Sequence, residues 1–257
     1  MVLIRFRVII ISLIILAGTG LALWYGLTRS HITSAERGRR LAEKEGCFAC
    51  HGPEGSGGVA NFGRTDGTVP NFRDDVMMFA HGPDNIREWI AEGKTEAKAK
   101  SQTWQEERKK GVLKMPAFGN RLSNSEIDDL VSFVMISSGH PRPDDSLALK
   151  GLQLTKTFGC VGCHGPGGAF ARPNPKSFKG YLAPWIGPDF KDLVRNRAEF
   201  DQWVENGVSD RLKTNLLARY FLNRAVLHMP EYRSHLQPGD LDALWAYITW
   251  RRAQEPQ

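Results

Sequence analysis

All four cysteines of the 257-residue chain fall in two copies of Cys-x-x-Cys-His, CFACH at 47–51 and CVGCH at 160–164. Four cysteines outside the cytoplasm would ordinarily pair as two disulfides. A thioredoxin-like redox pair uses Cys-x-x-Cys but needs no following His and sits in a βαβ context. A zinc ribbon would bring both pairs onto one metal. The His in both copies instead makes each a c-type haem attachment pattern. Two thiols at this spacing form thioether bonds to the vinyl groups of one haem, and the next residue offers an imidazole to the iron. Cys47 and Cys50 would hold one haem, Cys160 and Cys163 a second, with His51 and His164 as ligands.

The rest of the chain repeats in the same register. KMPAF places Met115 64 residues after His51, and HMPEY places Met229 65 residues after His164. At an offset of 114, Trp89, Gly93, Met115 and Pro116 match Trp203, Gly207, Met229 and Pro230. Ile127, Leu130, Val131 and Val134 match Leu241, Leu244, Trp245 and Ile248, each set on one face of a helix. Ser123 with Glu126, and Thr33 with Glu36, predict capping boxes. Each half therefore reads as helix, haem loop, helices, Met-Pro loop and closing helix. Met115 and Met229 are the candidate second ligands. Met77, Met78, His81 and His228 are competing donors, but the first three have no counterpart in the second half. Between Gly93 and Met115, and again between Gly207 and Met229, both halves carry an enlargement. The first is charged and predicts a solvated helix. The second carries Leu212, Leu216, Leu217 and Tyr220 at helical spacing, and ordinary packing is expected for that stripe.

Each half resembles a class I cytochrome c domain, and residues 33–255 together resemble a membrane-anchored tandem dihaem cytochrome c. The resemblance implies an all-α fold in which the first and last helices of each half pack across each other beside a covalent haem. It implies His and Met axial ligation, carried onto His51 with Met115 and His164 with Met229. VPNF at 69–72 and GPDF at 187–190 are similar to the family's Gly-Pro-Asn-Leu turn, although Val69 departs from its glycine. There the proline carbonyl accepts the proximal His N–H, a role that Pro70 and Pro188 would inherit. Trp89 and Trp203 each carry a donor-only N–H; a haem propionate and simple core packing both account for them.

Residues 8–27 run without a charge and are flanked by Arg5, Arg7 and Arg29. As a helix they would span roughly 30 Å, the hydrocarbon thickness of a bilayer. A cleaved signal peptide competes, but the apolar run continues past the small residues of LAGTGLA to Trp24 and Tyr25, placed for an interfacial aromatic belt. We expect an uncleaved single-pass anchor in the inner membrane with Arg5 and Arg7 cytoplasmic and both haems on the periplasmic side. The expected domains are an anchor over 1–30, cytochrome c domains over 31–140 and 150–257, and a linker over 141–149.

Charge differs between the halves. Residues 31–149 carry 16 basic and 18 acidic side chains, or −2, and residues 150–257 carry 15 and 10, or +5. Covalent haem outside the membrane excludes nucleic acid as the reason. Either the basic charge offsets haem propionates, or Arg195, Arg197, Arg211 and Lys213 steer an acidic redox partner. An iron with both axial positions filled by protein has no open site for substrate and exchanges single electrons. The expected role is an electron relay, not an enzyme in itself, between a quinol-oxidising complex or dehydrogenase and a terminal oxidase or soluble carrier. Its partners would be membrane-embedded subunits of such a complex. The alternative is a dihaem peroxidase with one displaceable axial ligand.

Overall fold

In each half a leading helix lies across a closing helix. Ser34–Lys44 packs on Asn124–Ser137, and Ser146–Thr157 packs on Asp240–Ala253. The computed structural model describes residues 2–28, 31–73, 76 and 80–254, with side chains in the first helix given for residues 10, 11 and 13–27. Met77 and Met78 lie outside the described residues. Regular structure among those residues is helical, with two isolated antiparallel bridges, Ala60 with Thr68 and Pro173 with Tyr181.

A glycine makes each crossing possible. A Cβ on Gly38 would lie 1.9 Å from the Asp129 carbonyl oxygen, and one on Gly151 would lie 2.0 Å from that of Ala243. Only a bare Cα lets the two backbones approach so closely. Apolar residues of the closing helices complete the cores: Ile127, Leu130 and Phe133 in the first half, Leu244, Tyr247 and Ile248 in the second.

Ser123 and Glu126 form a complete capping box. The expected box at Thr33 is only half made. Thr33 accepts from the Glu36 amide, but burial turns the Glu36 carboxylate to Arg39 and Arg40 instead of the cap backbone. Each enlargement folds as two short helices, Glu96–Lys100 and Gln102–Lys110 in the first half, Asp210–Thr214 and Leu216–Arg224 in the second. Asn215 caps the last of these through the Ala218 amide. That break splits the predicted stripe: Leu216, Leu217 and Tyr220 are 73%, 59% and 53% exposed, so ordinary packing does not account for them.

The two halves share a core. Ala169, Phe170 and Ile186, all beyond the second haem motif, are buried in the cluster that holds Phe72 and Phe133 of the first half. The Phe133 and Phe170 rings meet edge to face at 5.9 Å. Thr33 Oγ1 donates to the Ala169 carbonyl at 2.7 Å inside the seam. At its edge Glu54 pairs through both carboxylate oxygens with the Arg172 guanidinium, one contact at 2.7 Å. Glu54 adopts a left-handed φ of 51°, whereas the corresponding position of the second half is Gly167, at 60°.

The amino-terminal helix runs over Val2–Thr28. Ile11, Leu13, Ile14, Ile15, Leu16, Leu21 and Leu23 are all exposed along it. Among the described residues no helix is long and apolar enough to cross a membrane, and side chains of this one are described only from Ile10. Its far end rests on the second half: Trp24 meets Phe178 edge to face at 5.9 Å. His31 Nδ1 lies 3.0 Å from the buried Asp189 carboxylate.

Candidate haem sites

Cys47 caps the single turn Phe48–His51. Residues spaced i, i+3 and i+4 on a helix share one face, so Cys47, Cys50 and His51 line the same wall. With Met115 and Trp89 they enclose a cavity of about 260 Å³ in the first half. His51 Nδ1 is 2.7 Å from the Pro70 carbonyl oxygen. A carbonyl can only accept, so Nδ1 carries the proton and Nε2 keeps its lone pair. Burial pushes the His51 pKa below its ordinary value, against the Pro70 bond, and the ring stays neutral. Burial also pushes the Cys47 thiol up, the opposite of what a redox-active Cys pair needs. None of the four cysteines is in a disulfide. Among the described residues no three His, Cys, Asp or Glu side chains gather to hold a metal ion.

Met115 is held by its neighbours. The helix Pro83–Glu92 ends at Gly93 in a left-handed cap, and a Cβ there would lie 2.4 Å from the Met115 carbonyl oxygen. Asn61, 4% exposed, clasps the backbone two residues before the methionine: its amide donates to the Leu113 carbonyl at 3.1 Å and accepts from the Leu113 amide at 2.9 Å. The second half repeats the clasp. Asn174, equally buried, donates to the Leu227 carbonyl at 3.0 Å and accepts from its amide at 2.9 Å. Gly207 likewise abuts the Met229 carbonyl, at 2.4 Å. The two asparagines were not among the residues predicted for the sites. Their signal was in the sequence, because Asn61 and Asn174 stand at the same 113-residue offset as the histidines.

In the second half the turn Cys160–His164 carries the corresponding residues. His164 Nδ1 is sealed from solvent and has no partner at hydrogen-bonding distance. Burial pushes its pKa down to about 4, opposed by the Ala183 carbonyl. The backbone bonds Val69 to Val59 and Phe72 to Gly55 recur as Leu182 to Arg172 and Trp185 to Gly168. They align Pro70 with Ala183, and the ring lying tilted beside each histidine is Phe72 or Trp185. Pro188 therefore does not occupy the place expected of it. It caps the helix Asp189–Leu193, five residues further along the chain than Ala183.

Of the two readings of Trp203, the structure shows core packing. Its Nε1 donates to the Leu193 carbonyl at 2.9 Å while the ring packs into the core. Trp89 lines the first cavity and meets Trp104 edge to face at 5.8 Å. Of the two competing donors among the described residues, His81 is exposed and His228 Nε2 donates to the Leu222 carbonyl at 2.8 Å. The proposed steering cluster is partly neutralised, since Arg197 pairs with Asp201 and Asp242, and Arg211 with Glu199.

Two unpaired thiols, a neutral imidazole and a thioether in each half are a donor set that could hold covalent haem. Residues 35–137 match the cytochrome c family. The first half of the chain therefore carries a cytochrome c domain, which implies covalent haem c, and the matched span takes in Cys47, Cys50, His51, Pro70 and Met115. Over 129 residues the chain is 29% identical to the cbb3-type cytochrome c oxidase subunit FixP of Azorhizobium caulinodans. That alignment covers 50% of this chain and 38% of the relative. No solved structure matches the chain.

Proposed function

We propose that this chain is a membrane-anchored dihaem cytochrome that passes single electrons between a quinol-oxidising or dehydrogenase complex and a terminal oxidase. His51 with Met115, and His164 with Met229, would ligate the two irons, and the four cysteines would form the thioethers. When bound, haem supplies a one-electron iron couple whose potential His/Met ligation raises. The protein orients and insulates it. Pro70 fixes the His51 tautomer, burial keeps both imidazoles unprotonated, and the Asn61 and Asn174 clasps set where the two thioethers stand. Filling both axial positions from the protein leaves no open site for peroxide.

The observation that carries this reading is the repetition. The Cys-x-x-Cys-His turn, the asparagine clasp and the glycine-backed methionine recur in both halves, although the family match covers only the first. The anchor rests on the uncharged run of residues 8–27 within one 27-residue helix. The oxidase side rests on the relative, an oxidase subunit of which the matched stretch spans about two fifths.

Intact mass under denaturing conditions tests the proposal. Two covalent haems are expected, with Cys163→Ala lowering retention of the second alone. A single haem on the native chain would end the dihaem reading. Met115→His and Met229→His should each lower one potential and keep that haem low-spin.

A further inference from the structure

We infer that the second half rests on the membrane surface, with the helix Leu216–Arg224 lying in the interface between headgroups and acyl chains. This deepens the anchored reading above and rests on it.

The first observation is where the anchor ends. Trp24 packs on Phe178, and Phe178 packs on Phe221 at 5.1 Å. This chain of rings joins the far turn of the apolar helix to the helix Leu216–Arg224. His31, just past the anchor, reaches Asp189 of the second half as well. The half that is distant in sequence is thus the one held against the anchor. Trp24 and Tyr25 mark the boundary depth that interfacial aromatics favour, so Phe221 and its helix stand at the same level.

The second observation is what that helix exposes. Leu216, Leu217 and Tyr220 face outward, and Val226 and Leu227 continue the apolar surface just beyond it. A contiguous apolar patch of this kind marks a contact, and unlike the exposed Phe62 and Val112 of the first half this one adjoins the apolar amino-terminal helix through Phe178. The apolar side chains of the amino-terminal helix need a non-aqueous covering too, and through Phe178 the two surfaces adjoin. One covering, the bilayer, satisfies both. Charge agrees. Arg219 and Arg224 are exposed on the same helix, Arg224 lying over the Tyr220 ring at 5.2 Å. A helix with apolar residues beside arginines is the pattern of interfacial helices that bind anionic headgroups. It also gives a location for basic charge in a half whose Arg197 and Arg211 are already paired.

The full haem-loaded chain, its native cysteines consumed by thioethers, can carry one nitroxide at a time at L217C, V112C or L16C. In vesicles of phosphatidylcholine with phosphatidylglycerol, L217C should lose most of its collisions with a water-soluble nickel chelate and keep those with oxygen. V112C, on the exposed first half, should stay open to nickel. R219E/R224E should restore nickel access at L217C. L16C reports the anchor separately. With L16C shielded from nickel, an L217C label as open as V112C overturns the surface contact and leaves the anchor standing. Shielding of L217C from nickel and oxygen alike would mean a protein partner and overturns it too. An L16C label open to nickel removes the anchor itself.

Discussion

At the scale of single residues, the two asparagine clasps are the sharpest test of how the methionines are placed. Asn61→Ala strips both partners from the part-buried backbone of Leu113, and leaving such groups unsatisfied costs about 1–3 kcal/mol at most. The folded chain should lose stability by that amount, and on the proposed ligation the absorbance of the first haem should weaken while that of the second is kept. Asn174→Ala should do the converse, as denaturant titration followed at the thioether–iron band would show. Glu199 provides a pH signature. The Arg211 guanidinium beside it holds its pKa at about 2, below the ordinary value of 4.5. A carboxylate depressed on folding stabilises the native state above its unfolded pKa, and that contribution fades as pH falls from about 4.5 towards 2. Glu199→Gln should therefore melt below the native protein at pH 6, with the gap closing as the pH approaches 2. A gap independent of pH would show that the ion pair contributes nothing.

At the scale of elements, the crossing of leading and closing helices depends on Gly38 and Gly151. An added methyl would meet a carbonyl oxygen at about half of normal contact distance, so the helices must separate. Gly38→Ala and Gly151→Ala should each cost about 1–3 kcal/mol by overpacking, although alanine is the better helix former. Thermal melts decide this, and a neutral or stabilised variant would mean the crossing is looser than described. Much of this level was legible in advance. Apolar spacing marked both closing helices, and the repeat placed histidines and methionines in matching positions. Pro188 was misread because the turn was matched by its Gly-Pro pair. The Ala183 carbonyl acts on the buried His164 ring there without a hydrogen bond to Nδ1, and any residue can supply a main-chain carbonyl, so side-chain identity was a poor guide. The offset was the better one: it stays at 113 through Trp185 and becomes 114 by Trp203, which selects Ala183. Trp203 was ambiguous for a related reason, since sequence shows that an indole N–H needs an acceptor but not that Leu193 provides it.

At the scale of the whole molecule, the seam was not legible, because nothing in a linear chain announces that Phe170 will sit on Phe133. It makes the halves one unit. Glu54→Gln should weaken that unit by roughly 1.5–3 kcal/mol, the range for hydrogen bonds to charged groups. Glu54→Gly should recover part of the loss, since glycine adopts a φ of 51° without the penalty a side chain incurs. Differential scanning calorimetry of the two variants checks the order, and a Glu54→Gly protein less stable than Glu54→Gln would show that the backbone there is unstrained.

The seam also bears on time. A chain is made from its amino end, and domains generally fold in that order as they emerge. Here the first haem motif is complete long before Ala169, Phe170 and Ile186 have been synthesised, so the wall behind Phe133 stays open to water while roughly fifty further residues arrive. The first half must therefore wait for the second before its interior closes. A copy cut within residues 141–149 would be left permanently at that waiting stage, and grafting either half alone onto another protein would carry the unfinished wall with it.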